Sequence, residues 1–218
     1  MNAMPTPAGY HPHGESTLPS YLATLPRVRE TLGGSPSAWS VKEVGDGNLN
    51  LAFLVRGPAG AVCVKQALPY LRLVGEGWPL PLSRAFYESQ ALFEQNRLAP
   101  RRVPDVLHVD ETLALMVMEL LSPHVILRKG LIAGVRYPHM AGHVADFMAR
   151  TLFGTSDLQV PAGEKKKRAA VFCGNDVLCK ITEDLIFTEP YTVAPRNRWT
   201  SPQLDGDARA IREDAELK

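Results

Sequence analysis

The stretch "VGDGNLNLAFLVRGPAGAVCVKQALPY", Val44 to Tyr70, sets two runs of alternating apolar residues beside glycine-bearing turns. Leu51, Phe53 and Val55, then Val62 and Val64, recur with a period of two, the spacing of strands that bury one face. Asp46-Gly47 and Gly57-Pro58-Ala59-Gly60 are turn chemistry. Lys65 rides on the second run. Two readings are open. In one, the stretch is a β-meander whose lysine keeps a sheet edge soluble. In the other, glycines let backbone amides converge on a phosphate and the lysine supplies a cation.

Working outward, Val41 opens an earlier strand, and Val106–Val109 and Leu113–Met118 read as two more. The last is apolar almost throughout, the pattern of a strand buried on both faces. Leu82 to Asn96 changes to helical spacing, with Leu82, Ala85, Phe86, Leu92 and Phe93 on one face. These segments predict an α+β fold, a five-stranded antiparallel sheet carrying one helix. Residues 1–17, rich in Pro, Gly and His, are expected to be loose. A short helix interrupted at Pro26 is expected between Pro19 and Leu32. Everything after Ser122 reads as helical. The segments are His124–Ile132, Tyr137–Phe153 with Met140, Val144, Phe147, Met148 and Leu152 inward, and Asn175–Phe187. A loop over Pro190–Pro202 follows, and Asp205–Lys218 opens a further helix. "EKKKR", Glu164 to Arg168, reads as a solvated helix start or loop. The expected division is an N-terminal extension and short helix over 1–38, a sheet lobe over 39–121 and a partial helical lobe over 122–218.

A length of 218 residues suits one domain or two small ones. With 24 basic and 23 acidic residues, the net charge of +1 gives no reason to expect a nucleic-acid partner. Cys63, Cys173 and Cys179 are odd in number and form no C-x-x-C pair. They argue for a reducing compartment and against a disulfide framework or structural zinc. The N-terminal residues lack a charged segment followed by an apolar core, so no signal peptide is read. The apolar run Leu113–Leu121 is too short to cross a bilayer, so no membrane partner and a cytoplasmic location are expected.

Holding a nucleoside triphosphate for transfer takes amides near the phosphates, a cation on them and a carboxylate that fixes the cation. Gly45, Asp46, Gly47, Asn48 and Asn50 can supply the first and Lys65 the second. The order of loop, hairpin and lysine resembles that of protein-kinase N-lobes. At about 100° per residue, Glu88 lies beside Leu92 on the rim of the apolar helical face, whereas Glu94 points away. Glu88 is therefore the expected partner of Lys65. The buried strand then runs into "MELLSPH", where a kinase-type hinge would present main-chain groups to adenine. The acid–histidine words elsewhere read as structural. "HGE" at His13–Glu15 falls in the loose terminus, "HVD" at His108–Asp110 ends a strand, and "DGD" at Asp205–Asp207 is a turn or helix cap. His139 and His143, four apart, read as helix-surface histidines without a third ligand.

Beyond these spacings, the words "GDGNLN", "VCVKQALPY", "VGEGWPL", "VMELLSPH", "LRKGLIAG", "FCGN" and "CKITEDLIFTEPY" closely resemble the S-methyl-5-thioribose kinase family, from about Trp39 onward. The resemblance implies a protein-kinase-like bilobal fold and transfer of the ATP γ-phosphoryl to the 1-hydroxyl of 5-methylthioribose in methionine salvage. It also implies magnesium and, commonly, a homodimer. Carried over by position, Asn48 and Lys65 resemble ATP ligands, and Glu119, Leu120 and Leu121 resemble the adenine-binding hinge. Trp78 resembles the tryptophan beside the family's sugar site, with a packing role as the alternative. The family's H-G-D-x-H catalytic loop, its D-x-E metal motif and its paired sugar-site arginines are expected to follow the matched region. No catalytic residue is therefore assigned within this chain, Glu88 being a supporting group, and the magnesium ligands are expected to be absent from it. The fragment alone is expected to be inactive. The alternatives are a non-catalytic nucleotide-binding or interaction module, or half of a split small-molecule kinase completed by a C-terminal fragment.

Overall fold

The alternation at Leu51, Phe53 and Val55 is a strand in the computed structural model, which describes residues 6–45, 49–72, 75–199 and 201–217. The described chain divides into two compact units, one running to Phe172 and the other from Cys173.

In the first unit, strands β1 (Ser40–Glu43), β2 (Asn50–Arg56), β3 (Ala61–Ala67), β6 (Val106–Asp110) and β7 (Leu115–Glu119) form one antiparallel sheet in the order β1-β2-β3-β7-β6. The α+β expectation holds. Two short strands, β4 (Tyr70–Leu71) and β5 (Gly75–Pro79), pair separately as a ribbon that the sequence pattern does not announce. Their residues, rich in Gly and Pro, carry no alternating apolar pattern.

The sheet has two differently clothed faces. On its outer face, Phe53, Val55, Val62, Val64, Leu115 and Val117 pack against Leu18 and Leu22 of helix α1 (Leu18–Leu22) and Val28 and Leu32 of helix α2 (Pro26–Leu32). All ten are fully buried. At about 1.5–3 kcal/mol for each large apolar side chain, this layer is the main hydrophobic contribution to the unit. The hairpin joining β2 and β3 comes so close to the end of α2 that a methyl group on Gly57 would lie 2.2 Å from the Leu32 carbonyl oxygen. Glycine is required there by that approach.

The expectation that residues 1–17 are loose is overturned for 6–17. Gln66 is fully buried on the outer face, and a buried amide must be hydrogen bonded. Its Oε1 accepts from the His13 N–H at 2.8 Å, and its Nε2 donates to the carbonyls of His11 at 2.8 Å and Leu113 at 2.9 Å. The Tyr10 hydroxyl donates to the Ala67 carbonyl at 2.8 Å. The terminus is thus strapped along β3, and His13 of "HGE" is buried.

Helix α3 (Arg84–Leu98) packs on the other face. The expected apolar face is only partly right. Leu82, just before the helix, is buried, but Phe93 is about half exposed, and the buried helical positions are Arg84 and Ser89. Beyond the sheet lie α4 (Leu127–Ile132), α5 (Met140–Gly154) and α6 (Ala162–Cys173). The apolar stripe of α5 lies open, as a partial helical lobe implies: Val144, Met148 and Leu152 are about half exposed, because no described element covers them. "EKKKR" is no loop. It opens α6, where Arg168 reaches Glu94 of α3 and Lys165 donates to the Thr155 carbonyl.

The second unit holds α7 (Asp176–Thr182), continued by wider turns over Glu183–Thr188, and α8 (Asp205–Glu213). Asp184 is held by Lys180 and Arg196, and Asp205 of "DGD" accepts from the Trp199 indole at 2.6 Å. No described helix is long and apolar enough to cross a membrane.

Candidate functional site

Strand register decides which side chains share the inner face with α3. Lys65 pairs with Ala52 on one side and Met116 on the other, and Cys63 pairs with Leu54 and Met118. Paired residues of antiparallel strands project to the same face. The inner face therefore presents the small Ala52 and Cys63, walled by Leu54, Met116 and Met118, with Lys65 at one end. Between β2 and β7 it is an apolar floor ending at Lys65, and on the edge strand β1 the exposed Lys42, paired with Leu54, adds a second cation to the same face.

The sequence places Glu88 opposite that cation, and the structure brings the two together: Lys65 Nζ donates to Glu88 Oε1. Both side chains are about one-third exposed, so the pair is reachable from solvent. Burial pushes the Cys63 thiol up, with Lys65 opposing and Glu88 adding to the effect, which keeps Cys63 a neutral packing group.

Glu119 closes β7, three residues beyond the position paired with Lys65. At about 3.3 Å per residue, the hinge segment begins about 10 Å from Lys65 along the strand. The Glu119 N–H donates to the Asp105 carbonyl at 2.8 Å. Leu120 is half-buried and Leu121 exposed where the chain leaves the sheet. Trp78 stands half-buried on β5, in the separate ribbon. Asn48 lies outside the described residues.

One residue escaped the sequence reading. Arg84, an apparent surface cation at the head of a helix, is 8% exposed. Its Nη2 donates to the Leu49 carbonyl and, at 3.2 Å, to Asn50 Oδ1, while Nη1 donates to the Pro81 carbonyl at 2.8 Å. The usable signal was its spacing: Arg84 stands one helical turn before Glu88 and so shares its face.

Other polar groups are structural. The Tyr21 hydroxyl donates to Asp110 Oδ2 at 3.0 Å and lies 3.1 Å from His108 Nε2, which ties "HVD" to α1. His139, just before α5, and His143 on it are exposed, with tilted rings whose centres lie 6.0 Å apart. Asp214-Ala215-Glu216 spells D-x-E, but Asp214 caps its own turn by accepting from the Glu216 N–H at 2.8 Å. A hollow of about 440 Å³ between α3 and α6 is lined by Glu94, Arg97, Lys165 and Arg168. Its acids and arginines are already paired with one another. Among the described residues, no three His, Cys, Asp or Glu side chains converge as a metal site.

No protein-family model matches the chain. Among curated proteins, it is 49% identical over 211 residues to methylthioribose kinase 1 of Oryza sativa subsp. japonica, covering 96% of this chain and 49% of that protein. It is 50% identical over 212 residues to a methylthioribose kinase of Escherichia coli O45:K1, covering 97% of this chain and 51% of the relative. A methylthioribose kinase of Klebsiella pneumoniae subsp. pneumoniae is 48% identical over 181 residues, 82% of this chain and 45% of that protein. The chain thus spans about half the length of the curated relatives it matches.

Proposed function

The chain belongs to the methylthioribose kinase family, and from that premise we propose that it is the nucleotide-holding part of a kinase that transfers the ATP γ-phosphoryl to the 1-hydroxyl of 5-methylthioribose. The observation that carries the reading is the Lys65–Glu88 ion pair, made across β3 and α3 on the open inner face of the sheet. A carboxylate at that point aims the ammonium, so the cation meets the phosphates without reorganising.

In this reading Lys65 holds the phosphates and Glu88 holds Lys65. The base lies on the floor of Ala52, Cys63 and Met118, with its edge toward the main chain of Glu119, Leu120 and Leu121. The run of about 10 Å from Lys65 to the hinge suits a nucleotide lying along β7. Asn48 joins the phosphate ligands, and Trp78 covers the sugar. Residues 39–121 are the nucleotide lobe, 1–38 its outer cover and 122–218 the beginning of a helical lobe. The three unpaired cysteines suit a cytoplasmic setting.

Among the described residues no three His, Cys, Asp or Glu side chains converge, and we expect the magnesium ligands to lie outside residues 1–218. Transfer also requires a carboxylate to orient the acceptor hydroxyl, and Glu88 is engaged by Lys65. We therefore expect residues 1–218 alone to bind ATP without phosphorylating methylthioribose.

The test is calorimetric ATP titration of the purified chain and of Lys65→Met, followed by turnover assays alone and with the remaining half of a relative supplied. ATP binding that Lys65→Met weakens by about tenfold or more would support the assignment. Parent-like affinity in Lys65→Met would sink it. Turnover by residues 1–218 alone would overturn the expected inactivity.

A further inference from the structure

Arg84 carries a buried charge with no carboxylate in contact: none of the ion pairs among the described residues includes it. Its fork is spent on two backbone carbonyls and one side-chain amide oxygen. One arm reaches Leu49 and Asn50 at the start of β2, the other reaches Pro81, and the buried Nε has no acceptor. Burial lowers its pKa to about 10, with Tyr10 and Glu88 opposing the shift, so the group is charged at neutral pH. One turn later on the same face, Glu88 grips Lys65 of β3. Adjacent turns of α3 therefore hold adjacent strands. Asn50 pairs with Ala67, and Ala52 pairs with Lys65, so the two attachments flank the same short piece of ladder.

We propose that Arg84 is a positioning residue that couples Leu49 and Asn50, at the start of β2, to the Lys65–Glu88 pair through the first turns of α3. The inference rests on the nucleotide-holding reading above and extends it. Arginine is needed because a planar fork bonds two backbone segments at once. Lysine keeps the charge but offers a single ammonium. If Arg84 fixes where α3 sits against β2, the reach of Glu88 to Lys65 depends on it. Losses at the two positions then overlap.

The experiment is a double-mutant cycle on ATP affinity in the full chain, using Arg84→Lys, Glu88→Gln and the pair. Amide hydrogen exchange is followed in parallel with and without ATP. Each single change is expected to weaken ATP by about tenfold, and the pair by little more than either alone, the mark of groups acting as one unit. Losses that multiply to about a hundredfold, or parent affinity in Arg84→Lys, would overturn the proposal. A role in stability alone predicts lower unfolding midpoints with a multiplicative cycle. Should no form of the chain bind ATP, the nucleotide reading fails separately, and exchange in the free chain still decides the coupling. Arg84→Lys and Asn50→Ala must each speed exchange in 49–52 and 85–90 together. Faster exchange in one segment only refutes the link.

Discussion

Gln66 shows how one polar side chain can organise a terminus. It follows Lys65 on β3 but points to the opposite face, where water is excluded and all three of its hydrogen bonds are made to main chain. Gln66→Leu keeps the volume and strands the His13 N–H and the His11 and Leu113 carbonyls. Each stranded buried group costs about 1–3 kcal/mol. The urea midpoint is expected to fall clearly, and more in Gln66→Glu, whose carboxylate cannot donate to the two carbonyls. An unchanged midpoint in both would remove Gln66 as the anchor of the strap. The neighbouring histidines add a pH dependence. Burial lowers the pKa of His13 and of His108 below the ordinary 6.5, with His11 adding to the shift at His13 and Asp110 opposing both. The fold therefore prefers their neutral forms, and below about pH 6.5 the unfolded chain binds more protons. The stability they contribute is present above that pH and is lost as pH falls through the depressed values. Unfolding midpoints measured across this range should flatten in His13→Gln/His108→Gln, and an unaltered slope would assign the dependence to carboxylates.

At the scale of elements, contacts between α2 and the β2–β3 hairpin explain glycines that resemble ordinary turn residues. A methyl group at Gly57 meets the Leu32 carbonyl oxygen at 2.2 Å, whereas one at Gly142, on the open side of α5, meets nothing within 4 Å. Gly57→Ala is expected to destabilise by about 1–3 kcal/mol through forced displacement. Gly142→Ala should stabilise by about 0.5–1 kcal/mol through helix propensity. Thermal melts of the two variants should move in opposite directions. A shared direction would show that backbone entropy rather than the α2 contact governs position 57.

For the whole molecule, apolar surface is the dominant physical property outside the sheet. Ile132 of α4 is 80% exposed and Leu152 of α5 is 61% exposed, with Val144 and Met148 near half. Exposed apolar side chains of this number favour association. The purified chain is expected to self-associate and to bind a hydrophobic dye. Val144→Lys/Leu152→Glu should reduce both while leaving ATP affinity at the parental value, because neither position touches the inner sheet face. Dye binding and sedimentation unchanged by that pair would move the sticky surface elsewhere.

Periodicity in the sequence was enough for the five main strands, the α3 helix and the Lys65–Glu88 pairing, because each rests on local spacing: period two along β2 and β3, and one rim position on a helix. What spacing cannot convey is which polar group will be enclosed. Arg84 and Gln66 look like surface residues in the sequence, and residues 6–17 look loose. Their burial follows from main-chain carbonyls and amides contributed by segments far away in sequence, Leu49 for Arg84 and His11, His13 and Leu113 for Gln66. The α5 stripe shows the converse. Its spacing is that of a buried face, but burial needs a covering surface, and none of the described elements provides one. Amphipathic pattern is a property of one segment, whereas enclosure is a property of at least two, so only the tertiary structure decided it.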